Sequence, residues 1–179
     1  KNMTERNSLS PNFFDPAILR KSVIVDKGFA LGDQSLPLPS IVELSPSGTC
    51  NRTCDFCPRS DPNYPEAEEF MPIELTEKLS VQLAAIEFAG LVIFSGFVEP
   101  LLDKKIYDHI ALLRKHLPTA RIEMVTNGDV LNEDRLSRLF TTGLSTLLIS
   151  VYDGKEDADR FKKMCSDVGL QEDQFVIRN

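Results

Sequence analysis

The sequence predicts an α/β fold built on a parallel sheet, and three observations lead there. Short apolar runs recur along the chain, at 41–44 and then beginning near 91, 121, 146 and 174, the later steps being roughly 25–30 residues. Every gap after residue 44 holds a stretch with apolar residues at helical spacing. Glycines, prolines and capping residues fall at the seams. Repeated strand–helix–strand units of this size imply parallel strands joined by right-handed crossovers. Folds of this kind carry their sites in the loops that follow the carboxyl ends of the strands.

Residues 1–22 are polar, with Pro11 and Pro16 and no clear period, and read as an N-terminal arm. The runs 23–25 and 29–31 flank Asp26, Lys27 and Gly28, which predicts a short hairpin. Prolines at 37 and 39 predict an extended linker over 35–40. Residues 1–40 are therefore set apart from a core of 41–179. In that core, residues 41–44 are the first strand. Pro72 suits the first position of helix one, whose stripe is Leu75, Leu79, Leu83 and Ile86 and whose stop is Gly90. Residues 91–94 form the second strand. Asp103 caps helix two, with Ile106, Ile110, Leu113 and Leu117 inward and Pro118 after its end. Residues 121–126 form the third strand. Asn132 caps helix three, with Leu136, Leu139 and Phe140 inward and Gly143 at its stop. Residues 146–151 form the fourth strand. Helix four, about 155–168, turns Ala158, Phe161, Cys165 and Val168 to one side. Residues 174–178 form the fifth strand.

Composition bounds the function. The 179 residues are 42% hydrophobic, enough for one domain with a core. A net charge of −7 argues against a general nucleic-acid surface, which needs a basic face. No run of about 18 apolar residues predicts a membrane span, and no signal-peptide pattern is present. Three of the four cysteines lie within positions 50–57, unlike a secreted disulfide framework. Such a cluster points to metal binding or redox chemistry in a cytoplasmic setting.

That cluster is the most informative stretch. Cys50, Cys54 and Cys57 follow the first strand with gaps of three and two residues. Structural zinc sites draw on four ligands, often as two C-x-x-C pairs. Cys165 is remote and lies on the apolar stripe of helix four, so it reads as a small buried hydrophobe. A lone triplet fits a metal cluster that leaves one position for a non-protein ligand.

With this spacing after a first strand, the loop resembles the signature of radical S-adenosylmethionine (SAM) enzymes. The resemblance implies that Cys50, Cys54 and Cys57 bind a 4Fe–4S cluster whose fourth iron is chelated by SAM. It implies SAM cleavage to a 5′-deoxyadenosyl radical that abstracts hydrogen from a substrate. Phe56 matches the aromatic position near the adenine. Residues 95–102 (SGFVEPLL) are similar to the family's GGEP segment, so Gly96 and Glu99 are implied to receive the SAM amino group, although Phe97 and Val98 stand where glycines are common. Asn127, in TNGD after strand three, is weighed evenly as turn residue or pocket wall. Ser150, ending strand four, is implied to touch SAM, and Arg178, ending strand five, to pair with its carboxylate. The family's core is a (β/α)6 barrel. The expectation is a partial (β/α)6 TIM-like barrel, a parallel sheet with outer helices, lacking the last strand–helix unit.

Locally the motifs look most like the branch with auxiliary-cluster extensions, which includes peptide-modifying enzymes and the aminocyclitol dehydrogenase of butirosin biosynthesis. The resemblance thus implies an oxidoreductase acting on a sugar-like or aminocyclitol substrate, or alternatively on a peptide side chain, with an electron donor such as flavodoxin or ferredoxin. A reading of another kind is a non-catalytic, cysteine-bound metal module. His109 and His116 lack a third ligand and read as ordinary helix residues. Residues 66–70 read as a solvated lead-in to helix one. Arg59, Asp61 and Tyr64 lie near the cysteines without a spacing that assigns them a role. No phosphate-binding glycine motif is present.

Overall fold

The structure, a computed structural model, describes residues 21–22, 24–25, 38–65 and 67–178. Five strands form one sheet: β1 (Ile41–Leu44), β2 (Leu91–Phe94), β3 (Arg121–Thr126), β4 (Thr146–Ser150) and β5 (Phe175–Arg178). Their order is sequential and every pairing is parallel. Between them run α1 (Ile73–Ala85), α2 (Ile106–His116), α3 (Glu133–Thr142) and α4 (Lys155–Asp167). The expected α/β architecture is present, with each strand within one residue of its predicted bounds.

The register sorts side chains onto two faces, because alternate residues of a strand point oppositely. Val92, Phe94, Ile122, Met124, Leu147 and Ile149 join the main apolar core with Leu83, Ile110, Leu113, Leu136, Leu139 and Phe161 of the helices. The opposite face carries Glu43, Ile93, Glu123 and Thr146 in one register row. Its polar groups are paired within the sheet. Arg121 Nε donates to Glu123 Oε1 at 2.7 Å, and its Nη2 donates to Thr146 Oγ1. Cys165 is fully buried in the helix-side core, as its apolar stripe predicts.

Helix α1 departs from expectation in two ways. Its inward residues are Thr76, Ser80 and Leu83, while Leu75 is 49% exposed and Ile86 is also exposed. Apolar spacing missed this rotation because the inward Thr76 is satisfied by a buried histidine. Thr76 Oγ1 lies 2.6 Å from His109 Nδ1, and His109 Nε2 lies 3.1 Å from Asp103 Oδ2. His109 is therefore no bystander on α2 but the polar link between α1 and α2. Helix α1 also ends at Ala85 rather than running on to Gly90: Glu87 takes φ 53° and Phe88 N–H returns to Leu83 O at 3.0 Å. Gly90 has another reason to be glycine, since a Cβ there would collide with Ser40 O beside β1.

Two further expectations are corrected or fall outside. Ile24 and Val25 are helical rather than part of a hairpin arm, and Lys21 and Ser22 at the end of the N-terminal arm are helical too; β-branched propensity is a weak prior that surroundings override. The second arm (29–31) and the N-terminal stretch 1–20 lie outside the described residues. Residues 67–70 are solvated as expected, yet their backbone also pairs with the cysteine loop: Gly48 N–H donates to Glu69 O at 2.8 Å, and Ser47 bridges Phe70. Among the described residues, no helix is long and apolar enough to cross a membrane.

Burial holds the His109 imidazole below its ordinary pKa, with Asp103 pulling the other way. A base whose folded pKa is depressed binds protons better when unfolded, so its contribution is present above about pH 6.5 and lost as pH falls below it. Urea titrations between pH 7.5 and 5 should show stability falling below about pH 6.5. His109→Gln should flatten that slope.

Candidate active site at the strand ends

All five strands end on one rim, and the cysteine loop leaves it from β1. The loop is pinned first to its neighbour. Ser45 Oγ donates to Ser95 O at 2.9 Å, and Glu99 N–H donates to Thr49 O at 2.9 Å. Arg59 Nη1 donates to Gly48 O at 3.0 Å and its guanidinium lies over the Tyr64 ring. Arg59 and Tyr64 thus have a clear role in shaping the loop. Cys57 N–H returns to Cys54 O at 2.8 Å, and a 3₁₀ turn (Pro58–Ser60) closes the segment.

Glu99 is only 1% exposed. Its Oε1 accepts from Leu101 N–H at 3.0 Å and from Thr126 Oγ1 at 2.7 Å; its Oε2 accepts from Asn127 N–H at 2.8 Å. Burial raises its pKa, and the three donors oppose that rise. The carboxylate braces the β2 end against the β3 end. Val98, where a glycine is common in the family, needs no left-handed backbone: the positive φ in this loop, 119°, belongs to Gly96.

Asn127 is a turn residue, one of the two roles weighed for it, and it also bonds to the cysteine loop. Its Oδ1 accepts from Asp129 N–H at 3.0 Å, a local turn. Its Nδ2 donates to Asn51 Oδ1 at 2.8 Å and lies 3.8 Å from Cys50 Sγ. Beside it Gly128 has φ 79°, and a Cβ there would strike the Phe161 ring of α4. Ser150 and Arg178 are register partners on β4 and β5, and Val151 N–H donates to Arg178 O at 2.7 Å. Hydrogen bonds thus join Cys50, Glu99 and Asn127 into one network, and Ser150 and Arg178 lie side by side on β4 and β5 farther along the rim. Phe56 is 73% exposed and meets the Tyr152 ring at 5.4 Å. Around them lies a shallow pocket of about 320 Å³ lined by Arg52, Thr53, Cys54, Asp55, Phe56 and Tyr152.

The donor set suits an iron–sulfur cluster better than a single ion. Cys50, Cys54 and Cys57 are free, partly exposed thiols. Among the described residues, no three His, Cys, Asp or Glu side chains converge closely enough for one metal ion. A 4Fe–4S cluster spreads its thiolate ligands over separate iron corners, and so fits three cysteines along an open loop. Burial, with Cys50 alongside, pushes the Cys54 thiol up; bound iron would reverse that preference.

The sequence pattern of the Radical SAM superfamily matches residues 44–175. That stretch is most of the chain and contains the rim from the end of β1 through the loop after β4, Arg178 lying just beyond it. The chain belongs to the radical SAM superfamily. Within it, the chain is 35% identical over 115 residues to the S-adenosyl-L-methionine-dependent 2-deoxy-scyllo-inosamine dehydrogenase of Niallia circulans. That match covers 64% of this chain and 46% of the relative, so the chain spans about half the length of the relative it matches. The crystal structure of BtrN in complex with AdoMet and 2-DOIA superposes with TM-score 0.67 at 29% identity, over 79% of this chain and 56% of that one. Native anSMEcpe with bound AdoMet gives TM-score 0.62 at 18% identity, covering 78% and 43%, a likeness of fold. Radical SAM folds of this kind are partial TIM-like barrels, and the five parallel strands with helices on one face agree with that.

Sequence reasoning missed Arg52, Asp129, Asp153, Tyr152 and Thr126 as parts of the rim. The signal was available for the charged ones: an arginine between two cysteines, and one aspartate just after each of two later strands. Glu99→Ala should strand Thr126, Asn127 and Leu101 donors in a buried site and cost roughly 2–5 kcal/mol by urea unfolding. Glu99→Gln should cost less, since one oxygen still accepts.

Proposed function

We propose that the chain is the SAM-binding core of a radical SAM dehydrogenase that abstracts hydrogen from a polar, sugar-like or aminocyclitol substrate. The observation that carries this reading is the cysteine loop fixed on the strand-end rim of a chain 35% identical to an aminocyclitol dehydrogenase. In this reading residues 1–40 are an arm and residues 41–179 the core.

Cys50, Cys54 and Cys57 would hold the 4Fe–4S cluster. When bound, the reduced cluster and SAM together supply the hydrogen-abstracting chemistry. The protein's part is placement. Phe56, backed by Tyr152, offers an aromatic surface for the adenine. The backbone from Gly96 to Glu99 would receive the SAM amino group, with the Glu99 carboxylate bracing that segment through its bonds to Leu101, Thr126 and Asn127. Asn127 holds the cysteine loop near Cys50. Ser150 and Arg178, register partners on β4 and β5, would contact SAM, Arg178 pairing with its carboxylate through a charge-assisted fork. A flavodoxin or ferredoxin would supply the electron, and a reducing cytoplasm would keep the exposed thiols free.

Anaerobic reconstitution with iron and sulfide, followed by reduction and SAM, should yield 5′-deoxyadenosine. Cys54→Ala should abolish both cluster and product. Stoichiometric zinc with no 5′-deoxyadenosine would sink this reading. Arg178→Ala should weaken SAM binding by roughly 10–100-fold while leaving iron content unchanged. Adding 2-deoxy-scyllo-inosamine should raise 5′-deoxyadenosine formation; no rise would overturn the aminocyclitol assignment alone.

A further inference from the structure

The geometry points to Arg52 as a positioning residue that holds the cysteine loop in its cluster-binding form by gripping two other strand ends at once. This rests on the reading of the cysteines as cluster ligands. Arg52 lies between the first two cysteines. Its Nε and Nη2 form a fork on Asp129, at 2.7 Å to Oδ2 and 2.5 Å to Oδ1. The same guanidinium reaches Asp153, Nη2 to Oδ2 at 2.5 Å and Nη1 to Oδ1 at 3.3 Å. Asp129 follows β3 and Asp153 follows β4, so one cation spans three loops of the rim. Neighbouring Asn51 adds a bond of its own, Nδ2 to Asp129 Oδ2 at 2.7 Å.

Two more contacts tie this clamp to the site. The Arg52 backbone N–H lies 3.5 Å from Cys50 Sγ, and N–H groups directed at ligand sulfurs tune iron–sulfur clusters. The guanidinium stands 5.5 Å from the centre of the Tyr152 ring, and Tyr152 meets Phe56. Moving Arg52 therefore moves a donor to a ligand sulfur and unseats the aromatic pair.

A solitary surface ion pair would do little. Arg52 differs, because its side chain is 20% exposed and is shared by two carboxylates in a fork geometry. Lysine cannot reproduce that fork, since its ammonium is a point charge.

The test uses the whole chain, wild type beside Arg52→Gln, Arg52→Lys and Asp153→Asn, reconstituted without oxygen. Three quantities are read: iron and sulfide per chain, the electron paramagnetic resonance signal of the reduced cluster with and without SAM, and the thermal midpoint of the metal-free chain. Arg52→Gln should keep that midpoint within about 3 °C. It should lose roughly 10–100-fold in SAM affinity or cluster retention, with a diminished SAM-induced change in the signal. Arg52→Lys should recover part of the loss, and Asp153→Asn should shift in the same direction by less. Wild-type loading and signal in Arg52→Gln would overturn the proposal, as would a variant changed only in its metal-free midpoint. If wild-type chain itself assembles no cluster, the cluster reading fails and this one with it. If wild type loads and Arg52→Gln matches it, this inference alone falls.

Discussion

The rim from the cysteine loop to the end of β3 depends on the buried carboxylate of Glu99. Beyond the last paired residue of a parallel strand, the backbone ladder stops and the loops have no regular partner. Glu99 replaces that ladder with side-chain bonds. Its own N–H holds Thr49 after β1, and its oxygens hold Thr126 and Asn127 at the end of β3. Removing a carboxylate from water costs several kcal/mol, and only a full set of donors offsets it. Burial pushes the Glu99 carboxyl up and its three donors pull it back.

The sheet divides the labour between its faces. The helix side is apolar and close-packed, which fixes strand spacing and the height of every strand end. The other side mixes apolar residues with paired charges such as Arg121 and Glu123. Packing reaches the rim directly at Gly128. Gly128 is held against Phe161, so the position of α4 sets where the loop after β3 lies. A change in the core under that loop would be transmitted to Asn127 and from there to Cys50.

Much of this was legible in the sequence, for physical reasons. Strand positions followed from short runs rich in apolar residues, since the helix-side residues of each strand are apolar. The helix faces of α2, α3 and α4 followed from spacing. The cysteine triplet was legible because few chemistries use three thiols at that interval. The inward face of α1 was not, because Thr76 and Ser80 turn inward and the partner that satisfies Thr76 is His109, distant in sequence. Glu99 was singled out, but its bracing bonds depend on residues 27 and 28 positions away. The Arg52 clamp was hidden for the same reason: its charges lie 77 and 101 residues apart.

Cys165 has one more consequence. Its thiol is fully buried and its pKa is pushed up to about 11. It therefore takes no part in oxidation, which proceeds through accessible thiolates. That leaves an odd number of reactive sulfurs in the metal-free chain. Any disulfide within the loop strands one thiol, which finds no accessible partner among residues 1–179. Air would drive the unloaded protein toward covalent dimers or mixed disulfides, and iron uptake would compete with that fate from the moment the loop is exposed.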